Sequence, residues 1–331
     1  MSDALSTPLG GKISWNANPN LIWLASTLTL HRNLDKLKFP HKLSLERKQQ
    51  VVSLVSKELL NAEWFKGATL GRAEEMTPSQ KEYLAERFLS NESYNQAQIG
   101  EAFVWEDGGD VMAVLNQKDH LALLLLETQQ EPEKAWERLS CLELHLEKGL
   151  NFAFCPQFGF LTSDPTHSGT GLTLQIFLHL PALILTDGLK EQLDKHQEEM
   201  ISTTGLQGNF DELAGDLVVL HNRYTLGVNE NLILSSLRHL ATILMVEEKS
   251  LRSQVRQETH TLNEKFKDQV SRAYAILLHS YQIESLEAMQ AISLMKLGCD
   301  FGWIQGLDQK TLNTLLFDVR RAHLLNQFQE P

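Results

Sequence analysis

From Leu21 to Leu30 the chain reads LIWLASTLTL, a short run dominated by apolar residues with serine and threonine in its second half, and it is expected as a strand. At Ser44 the pattern changes. SLERKQQVVSLVSKELLN repeats its apolar residues at helical spacing behind a capping serine, so a helix is expected from there, and a second over residues 79–90. VMAVLN (111–116) and LALLLLE (121–127) read as short strands, and EPEKAWERLSCLELHLEKG as a helix whose acidic start and late lysine suit its dipole. LTLQIFLHLPAL is expected as a strand with Pro181 near its end, LKEQLDKHQEEM (189–200) as a helix, TTGLQGN (203–209) as a glycine turn and LAGDLVVLHNRYTLG as a last strand or hairpin.

Beyond Asn229 the strand pattern ends. ENLILSSLRHLATILMVEEKSLRSQVRQETHTLNEKF (230–266), KDQVSRAYAILLHSYQ, SLEAMQAISLMKLG and TLNTLLFDVRRAHLLNQF (311–328) all carry helical periodicity, with breaks at Gly298 and Gly306. The pattern divides the chain into an α+β domain over 1–228 and an all-helical domain over 229–331. Within the last segment, Asp318, Arg320 and Arg321 read as a solvated helical face.

Composition narrows the function. With 42 acidic against 30 basic residues the formal charge is -12, which disfavours nucleic acid and anionic membranes as partners. No apolar run reaches membrane-spanning length and the N-terminus lacks a signal-peptide pattern, so the expected location is the cytoplasm. Cys141, Cys155 and Cys299 are widely spaced, which fits a reducing compartment and predicts no thiolate metal site.

Two loops hold the candidate chemistry. In TSDPTHSGTG, Gly169 and Gly171 permit positive φ and close backbone approach, so the loop is either an anion cradle of amide groups or a turn between strands. In NQKDHL, Asp119 and His120 are either an acid–base pair or a buried hydrogen-bonded pair.

Taken together and in this order, the fragments ASTLTLHRN, YLAERFLS, NQKDHL, GFLTSDPTHSGTGL, GNFDELAGDLVVLHNRYTLG and ILLHSYQIESLEAMQAISLMKLGCDFGWI resemble the ATP:guanido phosphotransferase family, specifically its bacterial protein-arginine kinase branch. The resemblance spans residues 20–328. It implies a guanido kinase or glutamine synthetase-like fold, an antiparallel sheet flanked by helices, followed by a helical dimerisation domain. It also implies that ATP with magnesium is the family's phosphoryl donor.

Residue by residue, the chain departs from the family's chemistry. The family's SSRIRLARN falls on residues 25–33, so two phosphate-binding arginines become Thr27 and Thr29, and Arg32 remains. NEEDH, a hydrophobic residue and arginine fall on 116–122, placing Lys118 at a catalytic carboxylate and Ala122 at an arginine. CPTNxGTGLRAS falls on 164–175, with Asp164 for its cysteine, His167 for its asparagine and Thr173 for its arginine. RGxxGE falls on 204–209, with Thr204 for the arginine and Asn209 for the glutamate. The family's phosphoarginine-recognition motif would begin beyond Pro331.

Phosphoryl transfer relies on positioning and charge stabilisation, and a charged hydrogen bond is worth roughly 1.5–3 kcal/mol. Five lost arginines therefore remove on the order of 7–15 kcal/mol of gross phosphate stabilisation, before any correction for non-additivity. The expectation is a chain with no catalytic residues, no cofactor and no metal: a pseudokinase that works as a homodimeric scaffold or regulator binding a protein partner, in protein quality control. Arg32, Asp119, His120, His167, Gly169 and Gly171 are its expected residual pocket. The alternatives are a protein-arginine kinase that uses ATP and magnesium through rearranged groups, and a module binding another small polar ligand.

Overall fold

The computed structural model describes residues 9, 10, 13, 21–257 and 261–328. In chain order these form β1 (Trp23–Arg32), α1 (Leu45–Asn61), β2 (Thr69–Arg72), α2 (Pro78–Arg87), β3 (Ala102–Trp105), β4 (Val111–Leu115), β5 (Leu121–Glu127) and α3 (Pro132–Leu146). Then follow β6 (Phe154–Cys155), β7 (Gly159–Phe160), β8 (Leu172–His179), α4 (Pro181–Leu185), α5 (Gly188–Lys195), β9 (Ile201–Gly205) and β10 (Leu217–Asn222). The C-terminal part is helical: α6 (Glu230–Val255), α7 (Thr261–His279), α8 (Ser285–Asp300), α9 (Gln309–Asp318) and α10 (Arg321–Gln327).

Eight strands make one antiparallel sheet in the order β2-β3-β4-β5-β1-β8-β10-β9, and β6 and β7 pair as a separate hairpin. Because strand side chains alternate, the sheet has two unlike faces. Leu28, Leu30, Leu123, Leu174, Ile176 and Leu220 point one way and are buried under α1, α3 and α6. The opposite face carries Phe103, Trp105, Leu124, Phe177 and Val219, in one cluster with apolar residues of α2, α8, α9 and α10. The architecture is therefore α+β, with helices on both faces of an antiparallel sheet.

α6 belongs to the helical part of the sequence, yet it lies on the sheet. Its stripe of Ile233, Leu237, Leu240, Ala241 and Leu244 is fully buried in the first core layer. The helical segment thus wraps the sheet, with α6 on one face and α8 to α10 on the other.

Several local expectations need correction. Residues 69–72 and 102–105 are strands that the pattern reading passed over. The helix expected over 189–200 stops at Lys195, and Ile201–Gly205 is a strand pairing with β10; only residues after it turn, closed by Gly205 N–H to Asn209 O at 2.9 Å. β8 ends at His179, and Pro181 opens a short helix, where its missing N–H costs nothing. The helix expected over 230–266 stops at Val255, whose carbonyl accepts from the Asn263 side chain at 2.7 Å; Glu258 to His260 lie outside the described residues. Residues 311–328 form two helices because Arg320 is extended, and the Glu86 carboxylate caps the second by accepting from Ala322 and His323 N–H at 3.1 and 3.0 Å.

Candidate functional site

Strand register brings distant residues onto the second face of the sheet. Thr29 pairs with Thr173, Thr27 with Gln175, and His31 with Ala122. Gln175 pairs with His221, which pairs with Ser202, and Phe177 pairs with Val219, which pairs with Thr204. Thr27, Thr29, Ala122, Thr173 and Thr204 therefore line one continuous face across β5, β1, β8, β10 and β9. All five are uncharged.

What covers this face differs along its length. Over β1 and β5 the segment following α2 lies directly on the strands: the Thr27 hydroxyl donates to Phe88 O at 3.0 Å, Gln117 Nε2 donates to Ser93 O at 3.2 Å, and Lys118 pairs with Glu92 at 2.7 Å. Only about 10 Å³ is left open beside Thr29, His31 and Ala122, space for about one water. Over β8, β10 and β9 a cavity of about 710 Å³ opens, walled by Glu82 and Glu86 of α2, Met289 of α8, Arg320 and Arg321.

Asp119 sits beside the closed part, and four contacts hold it. It accepts from Asn33 Nδ2 at 2.6 Å and from Ser163 N–H and Oγ, both at 2.8 Å, and His31 Nδ1 lies 3.2 Å away. Burial would raise its pKa, but His31, Ser163 and Asn33 together keep it well below the usual carboxylate range. His31 also stacks on His167, with ring centroids 5.1 Å apart and planes 13° from parallel. His120 is buried, with Nδ1 accepting Leu34 N–H at 3.1 Å, and burial pushes its pKa down to about 4. Asp119 and His120 are both buried and no hydrogen bond joins them; each is tied instead to Asn33, Asp119 through Nδ2 and the His120 N–H through Oδ1 at 2.9 Å.

The remaining candidates separate. Arg32 points to the opposite face from Thr27 and Thr29, where its guanidinium bonds Glu143, His31 O at 2.7 Å and Thr170 O at 2.9 Å and lies 3.5 Å over the Phe160 ring. It is spent on structure, and its expected place in a residual pocket is corrected accordingly. The glycine loop is packed rather than open to an anion. Amides of Thr166, His167, Ser168, Gly169 and Thr170 all donate within the protein. A Cβ at Gly171 (φ +63°) would meet Arg32 Nη1 at 2.6 Å, and one at Gly169 (φ +100°) would meet Thr225 O at 2.5 Å. Its glycines serve close packing, so the turn reading holds and the cradle does not. Asp164 caps that turn, accepting from Thr166 N–H and Oγ1 at 3.0 and 2.7 Å, and those bonds lower its pKa. Asn209 is exposed and accepts from Asp211 N–H at 3.0 Å.

Asp318 and Arg320 do not form a solvated face. Asp318 is buried, and Arg320 donates to Glu86 O at 2.5 Å and Phe317 O at 2.9 Å; Arg321 alone of the three is exposed. Gln175, Phe177, Ser202 and His221 also line the open cavity, and the sequence reading did not single them out. The alternation in TLQIF was a signal for the first two, since a strand that presents Thr173 presents Gln175 and Phe177 on the same face. Among the described residues, no group of three or more His, Cys, Asp or Glu is arranged to hold a metal ion, and no helix is long and apolar enough to cross a membrane. The five matched positions place no cation on this face and Asp119 is saturated with donors, so neither supplies a contact to a magnesium-bound triphosphate; the cations that line the open cavity are Arg320 and Arg321.

Comparison with known proteins agrees with the architecture. Residues 50–251 match the model of the ATP:guanido phosphotransferase C-terminal catalytic domain, and residues 263–331 that of the protein-arginine kinase McsB C-terminal domain. The chain is 36% identical over 329 residues to a protein-arginine kinase of Chlamydia pneumoniae, covering 99% of this chain and 90% of that one. It is 30% identical over 327 residues to one of Halothermothrix orenii, covering 98% and 92%. Among solved structures, lombricine kinase superposes with a TM-score of 0.60 at 15% identity over 74% of each chain. The substrate-free duplicated taurocyamine kinase of Schistosoma mansoni does so with 0.60 at 19% identity, over 80% of this chain and 41% of that one. The sheet, the helices on its two faces and the full-length similarity lead to one conclusion: the chain belongs to the ATP:guanido phosphotransferase family, on its protein-arginine kinase branch.

Proposed function

We propose that this member of the family is a pseudokinase, a protein that acts by binding rather than by transferring phosphate. One observation carries the reading: Thr27, Thr29, Ala122, Thr173 and Thr204, the positions matching the family's arginines, meet on one sheet face with no charge among them, and the segment after α2 closes half of it. Threonine offers a single neutral donor where arginine offers a fixed charged fork. Lys118, at the position matching a catalytic carboxylate, pairs with Glu92 and would repel a guanidinium substrate.

The proposed partner is a second copy of the chain, with a protein ligand in quality control as the wider role. On α7, Phe266, Val270 and Ala273 are buried against this chain's own core. Tyr274, Leu277 and Leu278, followed by Tyr281, form a second apolar stripe that is 40–105% exposed.

The test is to incubate the protein with ATP, magnesium and an arginine-rich protein and to look for phosphoarginine by mass spectrometry. No product above a heat-inactivated control is expected. Steady accumulation would establish the second reading, a kinase with rearranged groups, which the names of its relatives and the guanidinium groups of Arg320 and Arg321 beside the open cavity favour.

A further inference from the structure

The 710 Å³ cavity has a floor of two parallel rows, each crossing the same three strands. Gln175, His221 and Ser202 make a polar row; Phe177, Val219 and Thr204 make a mostly apolar one beside it. With strands about 4.8 Å apart, each row spans roughly 10 Å, the length of a small flat molecule.

Gln175 is the informative residue. It is 6% exposed and lines the cavity, and its side chain forms no hydrogen bond with any described residue. An amide that meets no protein partner and opens onto a cavity has both its donor and its acceptor free to bond a ligand or water there. Its cross-strand neighbour His221 is half-buried, with only a 3.4 Å contact from Nδ1 to Asn222 O, and burial lowers its pKa, so the imidazole is neutral at physiological pH. Four of the five charged wall residues have partners within the protein, Glu82 accepting from Ser93 Oγ at 2.7 Å, and Arg321 is exposed at the rim. Glu86 caps α10, Glu92 pairs with Lys118, and Arg320 donates to two carbonyls.

We infer that this cavity binds an uncharged, flat small molecule with one hydrogen-bonding edge and one apolar face, such as a heteroaromatic amide. Its edge lies along Gln175, His221 and Ser202, and its ring lies over Phe177 and Val219. Because Ser285 and Met289 of α8 and Arg320 and Arg321 wall the same cavity, an occupant bridges the sheet and the C-terminal helices. This inference rests on the reading that the phosphate-binding charges are gone.

The probes are nicotinamide and benzamide, titrated to about 10 mM into the full chain by saturation-transfer NMR, with ATP and magnesium in a parallel series. Nicotinamide is expected to bind, with Kd weakened about tenfold by Gln175→Leu and to a smaller extent by Ser202→Ala, both folded by circular dichroism. Silence from both amides, or amide binding that Gln175→Leu and Ser202→Ala leave unchanged, overturns the inference while leaving the non-catalytic reading intact. ATP binding more tightly than either amide, with phosphoarginine formed, overturns the reading beneath it.

Discussion

Asp119 shows how much one side chain can hold together. Its carboxylate joins the end of β1 through His31 and Asn33, and the start of the glycine loop through Ser163. Asp119→Ala is expected to cost about 2–4 kcal/mol in urea unfolding, because it leaves several buried donors unmatched. The pH dependence follows from the direction of its shift. Its folded pKa lies below the unfolded value of about 4, so its stabilisation is complete above that pH and is lost as pH falls through the folded value. The variant should therefore show a shallower loss of stability in acid, which unfolding midpoints at several pH values measure directly. The sequence revealed that Asp119 and His120 form a polar pair between strands. It did not reveal that Asn33, 86 positions away, decides their role.

At the scale of elements, α8 and α9 meet over an uncommon contact. Lys296 of α8 is 2% exposed, and its ammonium reaches Asn313 and, at 3.5 Å, Gln309. Burial and then Arg252 push its pKa down to about 7, with Asp300 opposing. A lysine depressed in the folded state and near 10.4 when unfolded is bound to fewer protons when folded, so stability rises with pH between about 7 and 10 through this group. Lys296→Met should flatten that rise, as read by thermal unfolding across the range; an unchanged slope would assign it to another group. The helices themselves were legible from periodicity, and the caps Ser44 and Asn229 lie where sequence rules place them. The split between α9 and α10 was not, because the carboxylate that caps α10 comes from Glu86 in α2.

For the whole molecule, the open question is what the exposed surface of α7 meets. If a second copy covers Tyr274, Leu277, Leu278 and Tyr281, then light scattering on the eluted protein should give twice the mass of one chain, and Leu278→Asp should return it to one chain without loss of helix content. A monomeric parent protein would remove the dimer proposal. The sequence by itself determined the fold class, the strand and helix periods and the family, because alternation, caps and collinear motifs are local properties that survive the exchange of charged side chains. The resemblance also places neutral residues, Thr27, Thr29, Ala122, Thr173 and Thr204, where the family carries arginines, and the pseudokinase proposal rests on that placement. Only the tertiary structure decided that Arg32 is tied to Glu143, that the glycine loop's amides from Thr166 to Thr170 are bonded within the protein, that α6 lies on the sheet, and that half of the threonine face is closed while half opens on Gln175. Those outcomes depend on strand register and on which distant groups satisfy each buried donor, and neither is written in any single stretch of chain.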